Sequence, residues 1–181
     1  MGTPPARGDR IVTEPLQGIP PAVIDAARRV LEAACARELS IVTAESCTGG
    51  LLASLLTDVE GASHAFERGF VVYSAKAKCE LLGVAAERID RCGAVSEDVA
   101  RAMAEGALLH SDGDVALAIT GFAGAGAPGD EPGLVHLACR RRSDERVWHR
   151  ECHFGDIGRG PVREAALEVA LDMLETALAG A

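Results

Sequence analysis

Apolar residues recur along the chain with two different periods, and the two periods alternate. Helical spacing over residues 20–39, with two prolines at the start of the stretch, predicts a first helix. The β-branched run 40–44 predicts a short strand, and helical spacing returns over 51–59. Between the last two lies the polar segment "ESCTGG". The pattern therefore predicts a strand, a tight turn and a helix in succession.

The rest of the chain continues this alternation. A second strand is predicted to end at Tyr73, a helix to close at Gly83, and Ser96 to cap a helix with an acidic first turn. The most apolar strand lies within 114–124 and runs into a glycine-rich loop. Two strands around a charged turn follow, and then a long amphipathic helix over 161–178. We therefore predict an α/β fold, a three-layer α/β/α sandwich with a mixed sheet.

Length and composition indicate a single domain. The chain has 181 residues, of which 48% are hydrophobic and 25% charged, a balance typical of one globular unit. Residues 1–18 contain several glycines and prolines without apolar periodicity, so they are predicted to form a flexible lead-in to a domain over 19–181. No apolar run approaches the ~20 residues of a membrane span, and the N-terminus lacks a signal-peptide core, so we expect a cytoplasmic protein without membrane contact.

The net charge of the chain indicates which kinds of partner it can bind. The formal charge is −9 and the sequence pI is about 5.0. A protein that neutralises many phosphates presents a broad basic face, which this composition does not favour. We therefore expect no direct binding to nucleic acid, although a few amides and one or two basic side chains would still hold a small anion.

Cysteine and histidine do not form a metal-binding pattern. The six cysteines contain no C-x-x-C pair, which predicts free thiols in a reducing compartment. On a strand, His149 and His153 share one face while Cys152 points to the other, and no second cluster completes a ligand set. We expect neither a metal nor a cofactor.

The glycine-rich loop does not match a known phosphate motif. It lacks G-x-x-x-x-G-K-[ST], and its glycines do not open a helix as G-x-G-x-x-G. ATP and dinucleotide binding are therefore disfavoured. Ligand contact is still expected, because Thr120 and Ser46 both follow strands, at the edge where open α/β sheets bind ligands.

Lysine is scarce, and both lysines follow the second predicted strand. They are Lys76 and Lys78, and an S-x-x-K motif is absent because Ala77 stands three residues after Ser74. A Ser–Lys pair would have to be assembled by the fold, from Ser46 or Ser63. A lysine base must be partly desolvated so that its pKa falls toward neutrality. On these residue types alone, two exposed lysines at a helix start are the favoured interpretation.

Four sequence blocks occur in a familiar order: "TAESCTGGLLASLLTDVEGAS", "FERGFVVYSAKAKCELLGV", "GAVSEDVARAMAEGA" and "ALAITGFAG". Over roughly residues 22–178 the chain resembles the CinA C-terminal domain family. The resemblance implies an α/β/α fold, frequently dimeric. It also implies hydrolysis of the carboxamide of nicotinamide mononucleotide to nicotinate mononucleotide and ammonia, a pyridine nucleotide salvage step that needs no metal or cofactor.

The resemblance also implies the catalytic residues. Ser63 matches the family's proposed nucleophile, Lys78 matches its lysine partner, and Tyr73 matches the tyrosine of the "YS" element. Ser46 matches the serine of the "ESCTGG" loop and is expected to anchor the substrate or stabilise an oxyanion. The opposite assignment, with Ser46 as nucleophile and Ser63 in the supporting role, remains open.

Further positions are expected to bind substrate. Thr48, Gly49 and Gly50 open a helix whose amides would hold a phosphate. Thr120 and Gly121 end the central strand. Arg159 is the best match to the family's arginine after "GD", with Arg163 as the alternative, because "GDIGRGPVR" holds two extra residues.

The chain departs from the family in its glycine-rich loop. The usual "AGP" is Ala123-Gly124-Ala125, and the usual "KP-x-G" is reduced to Glu131-Pro132-Gly133, so one positive charge near the expected pocket is lost. Two alternatives to the amidase follow from the family: a nucleotide-binding module without turnover, and an interaction protein associated with competence and DNA repair.

Overall fold

A computed structural model describes residues 18–60, 62–144 and 146–180; the predicted lead-in lies outside these ranges except for Gly18. The strands are β1 Ile41–Glu45, β2 Phe66–Val71, β3 Val115–Gly121, β4 Leu134–Arg141 and β5 Val147–His153. The helices are α1 Pro21–Cys35, α2 Leu51–Thr57, α3 Ala75–Leu82, α4 Ala86–Cys92, α5 Glu97–Leu109 and α6 Arg159–Ala179. Within these ranges no helix is both long and apolar enough to cross a membrane.

The five strands form one mixed sheet in the order β2-β1-β3-β4-β5. β1 pairs in parallel with β2 and β3, whereas β4 pairs antiparallel with β3 and β5. The predicted hairpin and the predicted mixed sheet are both confirmed. Because β1, β2 and β3 run in parallel, their carboxyl ends meet at one edge of the sheet.

Helices cover both faces of the sheet, as the alternating pattern predicts. On β3, Val115, Leu117 and Ile119 belong to the apolar core shared with α1, α2 and α6. Ala116 and Ala118 belong to the core on the other face, shared with α3, α4 and α5. The three-layer α/β/α sandwich is therefore confirmed.

Element boundaries follow local capping chemistry. Ser96 accepts a hydrogen bond from the Val99 amide and begins α5, and Gly83 ends α3 in the left-handed conformation at φ 66°. Two boundaries differ from the prediction: α1 ends at Cys35, and the β2 ladder ends at Val71. Helix α4 was not predicted, because its seven residues bury only one apolar side chain and give no clear periodicity.

Gly106 sets how closely α5 approaches α3. A Cβ atom built at this position would overlap the backbone carbonyl of Leu82. The contact matters for the site described below, since Leu82 lies one turn after Lys78 on α3. A glycine here is therefore required by packing rather than by backbone conformation.

We expect Gly106→Ala to lower the free energy of unfolding by about 1–3 kcal/mol, because a methyl group must push α3 and α5 apart. Gly160→Ala is the matched control: Gly160 also lies in a helix, but nothing lies within 4 Å of the added Cβ. That variant should be as stable as wild type or slightly more stable. Urea denaturation measures both, and equal stability of the two variants would show that the α3–α5 contact is not tight.

Candidate functional site

The carboxyl ends of the parallel strands border a cavity of about 230 Å³. Its walls come from the turn after β1, the turn before α5, the loop after β3, and the starts of α3 and α6. The lining residues are Ser46, Cys47, Tyr73, Lys78, Ala94, Val95, Thr120, Gly121, Phe122, Ala123, Gly124, Gly126 and Arg159. Six of the ten predicted site residues thus lie in one cavity.

Lys78 and Ser46 are in direct contact at the base of this cavity. The Ser74 hydroxyl accepts the Ala77 amide and begins α3, which places Lys78 in the first turn. The Lys78 Nζ donates to the Ser46 Oγ at 2.9 Å and to the Val72 carbonyl at 2.9 Å. The fold therefore assembles a Ser–Lys pair from residues 32 positions apart.

Burial alters the chemistry of this lysine. The Lys78 side chain is 1% exposed, and loss of water lowers its pKa below the ordinary lysine value, opposed only in part by the Cys47 sulfur nearby. Both hydrogen-bond partners of the Nζ are neutral groups. A lysine in this setting loses its proton more readily than an exposed one and can then accept a proton from a hydroxyl.

Cys47 also lines the cavity, directly after Ser46. Its thiol is buried, and that burial raises its pKa to about 11. Sequence reasoning did not single out this residue. A thiol of this kind stays protonated near neutral pH and does not compete with Ser46 as a nucleophile.

The residue before Ser46 is a fully buried carboxylate. Glu45 accepts hydrogen bonds from the amides of Gly50, Leu52 and Ala53 at 3.1, 3.1 and 2.8 Å. These are N–H groups at the start of α2, which lack partners within the helix. Glu45 therefore fixes the turn between β1 and α2 from inside the protein.

This contact corrects the expected phosphate site at Thr48, Gly49 and Gly50. The Gly50 amide donates to Glu45, and the Gly49 amide donates to the Ser46 carbonyl at 3.1 Å. The positive end of α2 is thus already neutralised by an internal anion. Thr48 is buried away from the cavity lining, and its hydroxyl has no partner among the described residues.

Thr120 and Gly121 lie in the cavity as expected. The Thr120 hydroxyl donates to the Ala94 carbonyl at 2.8 Å, so it also ties the turn before α5 to the end of β3. Its oxygen lone pairs remain able to accept a hydrogen bond. Thr120 therefore both shapes the wall and offers a polar atom.

The two candidate arginines occupy different positions. Arg159 lines the cavity and packs against Gly124, where an added Cβ would lie 2.9 Å from the Arg159 Nη2. Arg163 is half-buried and its Nε donates to the Cys47 carbonyl at 2.8 Å. Arg159 is thus the arginine exposed to the cavity, in line with the first choice from the sequence.

Tyr73 stands at the open rim of the cavity. It follows β2 and is 68% exposed, unlike the buried Ser46 and Lys78. The ring lies next to the cavity without filling it. An aromatic face at this position can pack against a planar ligand ring.

Ser63 lies elsewhere in the chain's fold. It begins the short 3₁₀ helix Ser63–Ala65, directly before β2, whereas Lys78 contacts the carbonyl that follows β2. At about 3.3 Å per residue, β2 separates the two places by roughly 16 Å. The neighbours Ala62 and His64 line a separate groove of about 790 Å³ against α1. Within one chain, the expected nucleophile and its expected base therefore lie at opposite edges of the sheet.

The histidines of β5 pair with carboxylates. His149 and His153 share a face of the strand, as predicted, and lie near Glu97 and Glu151 at 3.5 and 2.9 Å respectively. His149 also stacks on His136 with ring centroids 5.3 Å apart. Burial lowers the pKa of both stacked imidazoles, which favours their neutral forms.

Comparison with known proteins gives the same family over most of the chain. Residues 24–178 match the family model of the CinA C-terminal domain. The nicotinamide-nucleotide amidohydrolase PncC of Escherichia coli (strain K12) is 43% identical over 148 residues, covering 81% of this chain and 88% of that protein. A CinA-like protein of Akkermansia muciniphila is 52% identical over 111 residues, which are 60% of this chain and 27% of the length of that protein.

Solved structures agree with this result. The competence/damage inducible protein CihA from Agrobacterium tumefaciens superposes with a TM-score of 0.85 at 43% identity, covering 90% of this chain and 99% of the other. A CinA superfamily protein from Klebsiella pneumoniae 700603 superposes with a TM-score of 0.82 at 32% identity, covering 88% and 99%.

We expect Lys78 to titrate below the ordinary lysine pKa of about 10.4, because burial penalises its charged form. The chain has two lysines, so ¹³C NMR of lysine-labelled protein gives two signals, and Lys76→Arg assigns them. Unfolding restores the ordinary pKa, so the unfolded chain binds this proton more tightly. The contribution of Lys78 to stability therefore improves as the pH rises between the two values. Two coincident titration curves at the ordinary value would contradict this expectation.

We expect Glu45→Ala to lower the free energy of unfolding by about 3 kcal/mol or more, because one buried and two partly buried amides lose their acceptor. Glu175→Ala removes a carboxylate from an exposed ion pair with Arg29 and should cost no more than about 1 kcal/mol. Chemical denaturation of the two variants measures the difference. Similar losses would mean that Glu45 is not needed to hold the turn.

Proposed function

The chain belongs to the CinA C-terminal domain family, and from that premise we propose that it hydrolyses nicotinamide mononucleotide to nicotinate mononucleotide and ammonia. One observation carries the proposal: the buried Lys78 Nζ lies 2.9 Å from the Ser46 Oγ in a cavity. The similarity to a relative named as a nicotinamide-nucleotide amidohydrolase supports the substrate class.

We assign Ser46 as the nucleophile and Lys78 as its base. Neutral Lys78 takes the Ser46 hydroxyl proton while the Oγ attacks the carboxamide carbon, which forms a tetrahedral intermediate with a negative oxygen. The C–N bond then breaks, Lys78 returns the proton to nitrogen, and ammonia leaves. Water, deprotonated by Lys78, hydrolyses the acyl ester and regenerates the Ser46 hydroxyl. The balance is one carboxamide and one water giving one carboxylate and one ammonium ion, the protonated form of the ammonia that leaves.

The electrostatics of the site favour Ser46 as the nucleophile and Lys78 as its base. A lysine that acts as a base must be neutral when substrate arrives, and burial lowers the pKa of Lys78 in that direction. The transient oxyanion needs N–H donors. We assign this role to the backbone amides of Cys47 and Gly121, since both residues line the cavity next to Ser46.

The remaining cavity residues suit the rest of the nucleotide. Arg159 supplies a cation for the phosphate, because guanidinium groups recognise phosphate oxygens in pairs. Tyr73 offers an aromatic face for the nicotinamide ring, and Thr120 a hydroxyl oxygen at the wall. Arg159 and Lys78 are the two basic side chains of the described lining, and Lys78 acts as the neutral base. Because the family's loop lysine is absent from this chain, phosphate recognition is left to Arg159.

We expect Ser46→Ala to lower kcat for ammonia release by at least about 10³-fold, because it removes the attacking oxygen. Ser63→Ala should retain activity close to that of wild type, since its backbone lies at the far edge of the sheet. The measurement is ammonia release from nicotinamide mononucleotide without added metal, with nicotinamide riboside and NAD as comparators, on variants with unchanged urea midpoints.

The same series decides between this assignment and its competitors. Loss of activity in Ser63→Ala with activity retained in Ser46→Ala would restore the assignment implied by the family resemblance. Binding of nicotinamide mononucleotide by calorimetry without turnover of any comparator would instead favour a nucleotide-binding module. The competence/damage name of the Agrobacterium tumefaciens structure fits the other alternative, an interaction protein.

A further inference from the structure

The first turns of α6 reach both walls of the cavity. Arg159 and Arg163 are four residues apart and therefore lie on the same side of the helix. Arg159 packs against Gly124 in the loop after β3, whereas Arg163 holds the Cys47 carbonyl in the turn after β1. One helix thus connects two loops that are far apart in sequence.

The Arg163 contact is placed next to the reacting serine. Its Nε donates at 2.8 Å across 116 positions of the chain, to the carbonyl of the residue after Ser46. On the other side of Ser46, the Glu45 carboxylate holds the start of α2. Ser46 therefore lies between two fixed residues: Glu45 is held by backbone amides, and Cys47 is held by the Arg163 guanidinium.

Arg163 is not arranged to bind substrate. It is absent from the described lining of the cavity, its Nε is committed to a backbone oxygen, and it is half-buried. Its positive charge partly offsets the rise that burial causes in the pKa of the Cys47 thiol. The pKa of Lys78, in contrast, is set by burial and by Cys47. The residue is thus close enough to hold the turn yet does not tune the base.

We propose that Arg163 is a positioning residue for the Ser46 nucleophile, an inference that rests on the proposed function of Ser46. A peptide unit is planar, so holding the Cys47 carbonyl oxygen fixes the whole Cys47–Thr48 plane, including the direction of the Thr48 N–H. This plane lies one residue beyond Ser46, so fixing it restricts the turn that carries Ser46 and keeps the Ser46 hydroxyl toward Lys78. Displacement of about 1 Å in a reacting group can cost about 10²-fold in rate.

The test compares three arginines that contact α6 or lie on it. Arg163→Ala should lower kcat by about 10–100-fold and leave KM within about two-fold, because it disturbs the nucleophile and not the substrate contacts. Arg159→Ala should chiefly raise KM. Arg150→Ala removes an exposed ion pair to Asp172 of α6, away from the cavity, and should behave as wild type.

Two further readouts separate positioning from general loss of structure. Millimolar guanidinium should restore part of the activity of Arg163→Ala by occupying the vacated place, and should not restore Ser46→Ala. The lysine ¹³C titration should keep its Lys78 midpoint in Arg163→Ala, because Arg163 does not act on that amine. A KM increase matching that of Arg159→Ala, or a wild-type kcat, overturns the proposal.

A fluorophosphonate reagent distinguishes failure of this proposal from failure of the proposed function. The Ser46 oxygen displaces fluoride from phosphorus, Lys78 accepts the proton, and intact mass measures the rate of adduct formation without any nucleotide. Arg163→Ala should react about 10-fold or more slowly than wild type, and Arg150→Ala at the wild-type rate. If wild type is labelled but releases no ammonia, the substrate assignment fails. Equal labelling rates in Arg163→Ala and wild type would reject the positioning role, whatever the substrate.

Discussion

The buried carboxylate of Glu45 is the interaction on which the site depends. A charged oxygen inside a protein is costly unless several donors compensate it. Here three amides at the start of α2 supply that compensation, so the carboxylate and the helix satisfy each other. The turn between them has little freedom left, and it carries Ser46. The position of Ser46 therefore depends on the capping of α2 by the preceding residue, Glu45.

Glu45 and Lys78 are both fully buried, yet they do not neutralise each other. The carboxylate is held by amides, and the amine by the Ser46 hydroxyl and the Val72 carbonyl. An ion pair between them would favour the charged lysine and raise its pKa. Keeping their partners neutral leaves the amine free to lose its proton. Two buried ionisable residues thus have separate roles: Glu45 caps a helix, and Lys78 places a basic amine on the adjacent Ser46.

Much of the fold could be predicted because it depends on local chemistry. The mixed sheet between helices follows from the alternation of strands and helices, and Ser96 and Gly83 mark helix ends by their capping preferences. The burial of Lys78 could not be predicted from its position, because the preceding strand β2 is itself only partly buried. The division of roles between Ser46 and Ser63 was not predictable in this way. It depends on where each serine lies relative to Lys78: Ser46 follows β1 and contacts the Lys78 amine, whereas Ser63 precedes β2 at the other edge of the sheet, and sequence similarity alone carries no distances. The expected phosphate site failed for a related reason, because Glu45 reads as the last residue of a strand and its side chain turns back onto the helix. The Arg163 contact joins residues 116 positions apart and has no local signal.

The protonated thiol beside Ser46 has a consequence for chemical selectivity. With a pKa of about 11, roughly one Cys47 in 10⁴ is ionised at pH 7. Electrophiles and oxidants react with thiolates far faster than with thiols. Under the proposed assignment, an electrophile that enters this cavity meets one activated nucleophile, the Ser46 oxygen, although the softer sulfur atom lies on the next residue. Under the same assignment, oxidants that consume thiolates leave the reacting atom of the cavity intact.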